Sequence, residues 1–176
     1  DAKGLIKSAI RDNNPVLYFE HKGLYRDRKI KAELPEDDYV VPIGEGIIRR
    51  EGADLTIITY GMMVHRSMEA AEELAKEGVE FEVIDLRSLL PFDRGMILES
   101  VKKTSRLLIV HEDTLTGGIG GEMAAIIADE AFEYLDAPIK RLAGLDTPIP
   151  FSPPLEEFFL PNTEKITKAL RDLAGY

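Results

Sequence analysis

The residues best placed for chemistry lie in Arg106–Glu122, RLLIVHEDTLTGGIGGE. The apolar run Leu107–His111 ends in a His-Glu pair. A loop holding Thr114, Thr116, Gly117 and Gly118 follows, and then a helix opening near Gly120–Glu122. A strand, a glycine turn and a helix make the βα unit of an α/β protein, whose loops commonly carry function. The glycines do not complete a dinucleotide fingerprint. Gly118 and Gly120 have the spacing, but Met123 stands where the last glycine of G-x-G-x-x-G belongs, and no P-loop lysine follows. His111 and Glu112 sit at the carboxyl end of the strand, where open α/β sheets place ligands. They are candidates for an acid–base group or a contact to another subunit. The simpler alternative is polar groups satisfied by loop backbone.

Other chemistries find less support. His21, His65 and His111 lie on separate segments without ligand-spaced neighbours, whereas a metal site needs converging imidazoles or carboxylates. His65 reads as an ordinary surface or interface residue. No serine occupies a G-x-S-x-G elbow, and the absence of cysteine removes both thiolate chemistry and disulfides. Asp85 and Arg87 flank Leu86 on one side of a strand end and read as an ion pair or subunit contact. The acidic turn Glu130, Glu133 and Asp136 is different in kind. Glu130 and Glu133 share a face at helical spacing, and Asp136 stands past the helix end, where the macrodipole disfavours negative charge. It reads as a solvated face or as a docking patch for a basic partner. The net charge of −10 argues against nucleic acid and favours basic partners.

These residues must be positioned by a regular framework. Candidate strands are Ile43–Arg50, Leu55–Tyr60, Glu80–Asp85, Leu107–His111 and Ile139–Gly144. Helices fall at Val64–Lys76, at Arg94–Lys103 behind an Asp93 cap, and at Met123–Leu135. The alternation implies a mainly parallel sheet covered on both faces. Upstream, Leu5, Ile6, Ala9 and Ile10 mark a helix, Val16–Glu20 reads as a strand, and the charged stretch His21–Asp38 reads as a surface linker. A helical pattern that begins at the first residues suggests a piece of a longer polypeptide. After Asp146 the segment TPIPFSPPLEEFFLP is expected to be extended, because its prolines suit neither helix nor sheet interior. Phe151, Phe158 and Phe159 in this apolar, proline-stiffened stretch suit an interface core. Asn162 or Thr163 caps a last helix reaching about Leu173. No apolar run approaches membrane-spanning length.

PVLYFEHKGLYR, LTIITYGMMVHRSMEAAEEL, EVIDLRSLLPFD, LLIVHEDTLTGGIGGE and LDTPIPFSPPLEEFFLP occur in that order. Together they closely resemble the beta subunit of thiamine-diphosphate-dependent 2-oxo acid dehydrogenases, over essentially the whole chain. The resemblance implies that residues 1–39 end a pyrimidine-binding domain and that residues 40–176 form a transketolase-type C-terminal domain. That domain is an open, mainly parallel α/β sheet with helices on both faces. It also implies a parent enzyme that decarboxylates a 2-oxo acid on thiamine diphosphate with Mg and acylates a lipoyl group. The family's activating glutamate and beta-subunit active-site histidine lie upstream, and the alpha subunit holds the diphosphate. No cofactor is therefore expected on this chain alone, and His111 does not take the missing role. The partners implied are an alpha subunit, a second beta subunit in an α2β2 assembly, and the small basic subunit-binding domain of the dihydrolipoyl acyltransferase. Glu133, Asp136 and the carboxylate at Tyr176 are the docking candidates. Neither membrane nor nucleic acid is implied, and the location is cytoplasmic, or the mitochondrial matrix in a eukaryote. Branched-chain substrates are suggested by EHKGLYR and HEDTLTGG. The alternatives are a domain of another transketolase-fold enzyme, such as deoxyxylulose-phosphate synthase or transketolase, and a flavodoxin-like binding module.

Overall fold

Leu55–Thr59 and Phe81–Asp85 are short runs rich in apolar and β-branched residues, and every residue in them is buried, as strands covered on both faces require. In the computed structural model, which describes residues 1–176, they are β2 and β3 of a five-stranded sheet. The sheet is completed by β1 (Ile47–Arg50), β4 (Leu107–Thr114) and β5 (Lys140–Gly144), in the order β1-β3-β2-β4-β5. β1 runs antiparallel to β3 at one edge, and every other pairing is parallel.

Alternation along the strands divides the core in two. Leu55, Ile57, Phe81, Val83, Leu108 and Val110 face α3 (Met62–Ala75) and α7 (Thr163–Ala174). Ile58, Ile84, Leu107 and Ile109 face α4 (Arg94–Thr104) and α5 (Gly120–Glu130). Asp93 caps α4 by accepting from the Met96 N–H at 3.0 Å, and its other oxygen accepts from Gly46 N–H at 3.2 Å. Asn162, rather than Thr163, caps α7 through the Lys165 N–H at 2.9 Å. The α4 face also carries a buried polar seam. Ser100 donates to Glu82 Oε1 at 2.5 Å, so the 2.6 Å contact between Thr56 and Ser100 must be donated by Thr56. Lys103 pairs with the other Glu82 oxygen. These bonds satisfy a carboxylate that would otherwise be costly inside the sheet.

Several expectations are corrected. The first strand is Ile47–Arg50, not Ile43–Arg50, because Gly44 adopts φ +93° just before it. Val16–Glu20 forms no strand, and Leu17 and Phe19 are exposed. The proline segment is not wholly extended, since Pro153–Phe159 forms α6. Its prolines occupy the first helical positions, whose N–H groups need no intrahelical acceptor. The helix expected over Met123–Leu135 starts at Gly120 and stops at Glu130. Ala131 (φ −138°) breaks it, and Phe132–Tyr134 is a separate 3-10 turn. Glu130 and Glu133 therefore do not share one helix face, and Glu130 pairs with Arg94. Residues before the sheet form α1 (Ala2–Arg11) and the single helical turn α2 (Lys22–Arg26). α1 touches Val41 through Gly4 and Ser8, while Ile6 and Ile10 stay exposed.

Candidate functional site

Chain connections leave β2 towards β3 and β4 towards β5, so the carboxyl ends of β2 and β4 diverge at a topological switch point. Open α/β sheets bind ligands in such crevices. Tyr60 and Gly61 close β2 there, and His111 and Glu112 stand towards the end of β4. β4 runs on to Thr114, so His111 lies within the strand and is fully buried, not a surface contact. Its Nδ1 lies 3.1 Å from the Asp113 carbonyl, which can only accept. The proton therefore sits on Nδ1, and Nε2 carries a lone pair with no partner.

The glycine loop explains why that lone pair is sealed. A Cβ on Gly120 would come 2.6 Å from His111 Nε2, and one on Gly118 would come 2.6 Å from the ring's Cε1. Both glycines are therefore required by close packing, Gly120 on the imidazole and Gly118 on the imidazole and the Thr114 carbonyl. The loop is pinned by Asp146, which accepts from Thr116 N–H at 2.9 Å and from its hydroxyl at 2.6 Å, and by Arg141, which donates to the Leu115 carbonyl. Burial holds the His111 imidazole below its ordinary pKa of 6.5, against the opposing influence of Asp113, so it is neutral at neutral pH. Tyr60, stacked on it at 6.5 Å between centroids, is pushed up to about 12, by burial first and then by the charges of Asp113 and Glu112. His111 is thus a neutral, enclosed imidazole packed against Tyr60 and the glycine loop. Glu112 instead points to the opposite face, where His21 Nε2 lies 3.0 Å from Oε2. Sequence reading treated His21 only as an isolated histidine, because nothing local signals a partner 91 residues away.

The remaining candidates gather at two other places. Asp136 and Tyr176 line one shallow apolar groove with Phe132, Leu135, Pro138 and Ile139. Glu133 is exposed on the adjoining turn but does not line it. At the other place Phe151 is fully exposed and Phe158 is exposed on α6, whereas Phe159 is buried. Its ring packs on Gly144 at the end of β5, so Phe159 belongs to this chain's own core and is withdrawn from the interface candidates. Lys165, unnoticed in the sequence, donates to the carbonyls of Glu157, Phe158 and Leu160 at 3.2, 2.6 and 2.6 Å and so closes the end of α6. His65 is half-buried on α3, and Asp85 pairs with Arg49 at 2.7 Å, with Arg87 contributing its backbone N–H. His, Asp and Glu side chains do not converge in threes as metal ligands.

The family model of the transketolase C-terminal domain matches residues 44–166, which span the whole sheet and most of its helices. This chain belongs to that family. It is 51% identical over 177 aligned residues to the 2-oxoisovalerate dehydrogenase subunit beta of Bacillus subtilis, covering 100% of this chain and 54% of the relative. The pyruvate dehydrogenase E1 component subunit beta of the same organism is 46% identical, with 100% and 53% covered. The chain thus spans about half the length of these curated relatives. Among solved structures, a split-gene transketolase in an inactive beta4 tetramer superposes with a TM-score of 0.68 at 27% identity, over 82% of this chain and 46% of that one. A transketolase from Pichia stipitis, at 15% identity and TM-score 0.53, shares the fold over 74% of this chain and 18% of its own. The expected fold class is thereby established as that of the transketolase C-terminal domain.

Proposed function

We propose that this chain is the C-terminal part of the beta subunit of a 2-oxo acid dehydrogenase decarboxylase component, and that its work is assembly and docking. The parent enzyme decarboxylates a 2-oxo acid oxidatively with thiamine diphosphate and passes the acyl group to a lipoyl arm. Residues 1–39 end its pyrimidine-binding domain, and residues 40–176 are the C-terminal domain. The relatives named as beta subunits, aligned over the entire chain, support this reading. The branched-chain subgroup is favoured by the 2-oxoisovalerate relative.

The residues present do not fit thiamine diphosphate or its Mg. The loop that would cradle a diphosphate is filled by the His111 ring. The first turn of α5 carries Glu122, whose charge opposes a phosphate at that helix end. In this reading, as the resemblance implies, cofactor chemistry belongs to the upstream domain and the alpha subunit.

The observation that carries the assembly role is the rigid corner formed by Phe151 and α6, which holds Phe151 and Phe158 out to solvent. Exposed aromatics on a stiff backbone favour association, since little conformational entropy is lost when they are covered. The partners are a second copy of this chain and the alpha subunit. The basic subunit-binding domain of the acyltransferase docks separately, at the groove of Asp136 and Tyr176. No helix is long and apolar enough to cross a membrane, and the proposed location is the cytoplasm, or the mitochondrial matrix in a eukaryote. Sedimentation velocity at micromolar concentration tests self-association. The chain is expected to associate reversibly, and the double substitution Phe151→Ser, Phe158→Ser to give monomers of unchanged circular dichroism. A parent chain that stays strictly monomeric would overturn the self-association part.

A further inference from the structure

The switch-point crevice of this sheet is crossed by the chain itself. His21 reaches Glu112 on β4, with Nε2 at 3.0 and 3.3 Å from the two carboxylate oxygens. Two residues on, Gly23 packs so closely on Met62, the first residue of α3 after β2, that a Cβ there would lie 3.3 Å from its Cε. One short segment therefore bridges the diverging ends of β2 and β4. The His21 ring folds back over the start of α2, since a Cβ on Gly23 would also lie 2.9 Å from its Cε1. Further along, Lys29 pairs with Glu69 on α3 at 3.4 Å. The chain beyond returns to α1, where Lys7 and Arg11 both pair with Asp38 at 2.5 and 3.1 Å.

We propose that residues 21–26 are a strap latched by the His21–Glu112 pair, closing the ligand edge of the sheet and fixing the preceding residues against it. The two tie points differ in strength. Lys29–Glu69 is exposed on both sides and contributes little, whereas His21 and Glu112 are each about two-thirds covered, with side-chain exposures of 34% and 28%. A charged hydrogen bond of that burial can hold a segment that has few other contacts. α2 itself buries no residue, so the latch is the main restraint on the strap. The inference rests on contacts within this chain and is independent of the parent enzyme's substrate or partners.

Limited trypsin digestion of the 176-residue chain, read by mass spectrometry at the Arg26 bond, tests the latch. His21→Ala and Glu112→Ala should each speed that cleavage about three- to tenfold, as expected when local opening loses one partly buried charged hydrogen bond. The double variant should be cut no faster than the faster single variant, because both remove the same contact. Glu69→Gln, which breaks only the exposed pair, should cleave at the parental rate. A urea midpoint measured for each variant separates local opening from general unfolding, and it should not move. Parental cleavage rates in both single variants, additive effects in the double variant, or acceleration matched by a fall in the midpoint would each overturn the proposal.

Discussion

At the scale of single residues, the glycines around His111 separate packing from ligand binding. Gly120 and Gly121 are neighbours in one helix, yet only Gly120 faces the imidazole. Gly120→Ala should destabilise the chain by about 1–3 kcal/mol through overpacking. Gly121→Ala, whose Cβ would meet only Arg141 Nη1, at the ordinary contact distance of 3.4 Å, should stabilise it by about 0.5–1 kcal/mol through helix propensity. Urea denaturation of the pair measures both signs. The histidine also predicts a pH dependence. Its folded pKa is depressed below the unfolded value of 6.5, so the unfolded chain binds the proton first as pH falls. Stability from this group is therefore full above that value and declines as pH drops through it, until the depressed folded value is passed. Denaturation midpoints between pH 7.5 and 5 should fall in the parent, and His111→Gln should flatten that part of the slope.

At the scale of elements, Lys165 determines whether the aromatic corner has a shape. Three carbonyls at the end of α6 receive its ammonium, so Lys165→Met should weaken that helix by about 1–3 kcal/mol. Hydrogen exchange should quicken at 156–160 while the amides of α7 stay protected. Sequence reading placed most elements because β2, β3 and β4 carry near-continuous apolar runs and because Asp93 and Asn162 are recognisable caps. It failed where tertiary context decides. Val16–Glu20 has strand composition but no neighbour to pair with here, and Pro153-Pro154 resembles a helix breaker until it falls at a helix start. The contacts His21–Glu112 and Phe159–Gly144 join distant segments, so no local pattern announces them. The glycine spacing already argues against a dinucleotide cradle in the sequence, but that Gly118 and Gly120 cover the His111 imidazole is visible only in the packed chain.

At the scale of the whole molecule, a family-wide α/β core carries two surfaces that the core itself does not need. One is the corner of Phe151 and Phe158, and the other is the groove of Phe132, Leu135, Asp136, Pro138 and Tyr176. Within a chain of net charge −10, the groove combines apolar walls with a carboxylate at its rim, a surface suited to aliphatic contacts flanked by arginine. Titration calorimetry of this chain with the basic subunit-binding domain of the acyltransferase is the most direct test of the assembly-and-docking account. The account predicts saturable binding that weakens as salt is raised and falls about tenfold or more in Asp136→Lys at low salt. Binding of Asp136→Lys as tight as that of the parent at low salt, or no binding by the parent, would contradict it.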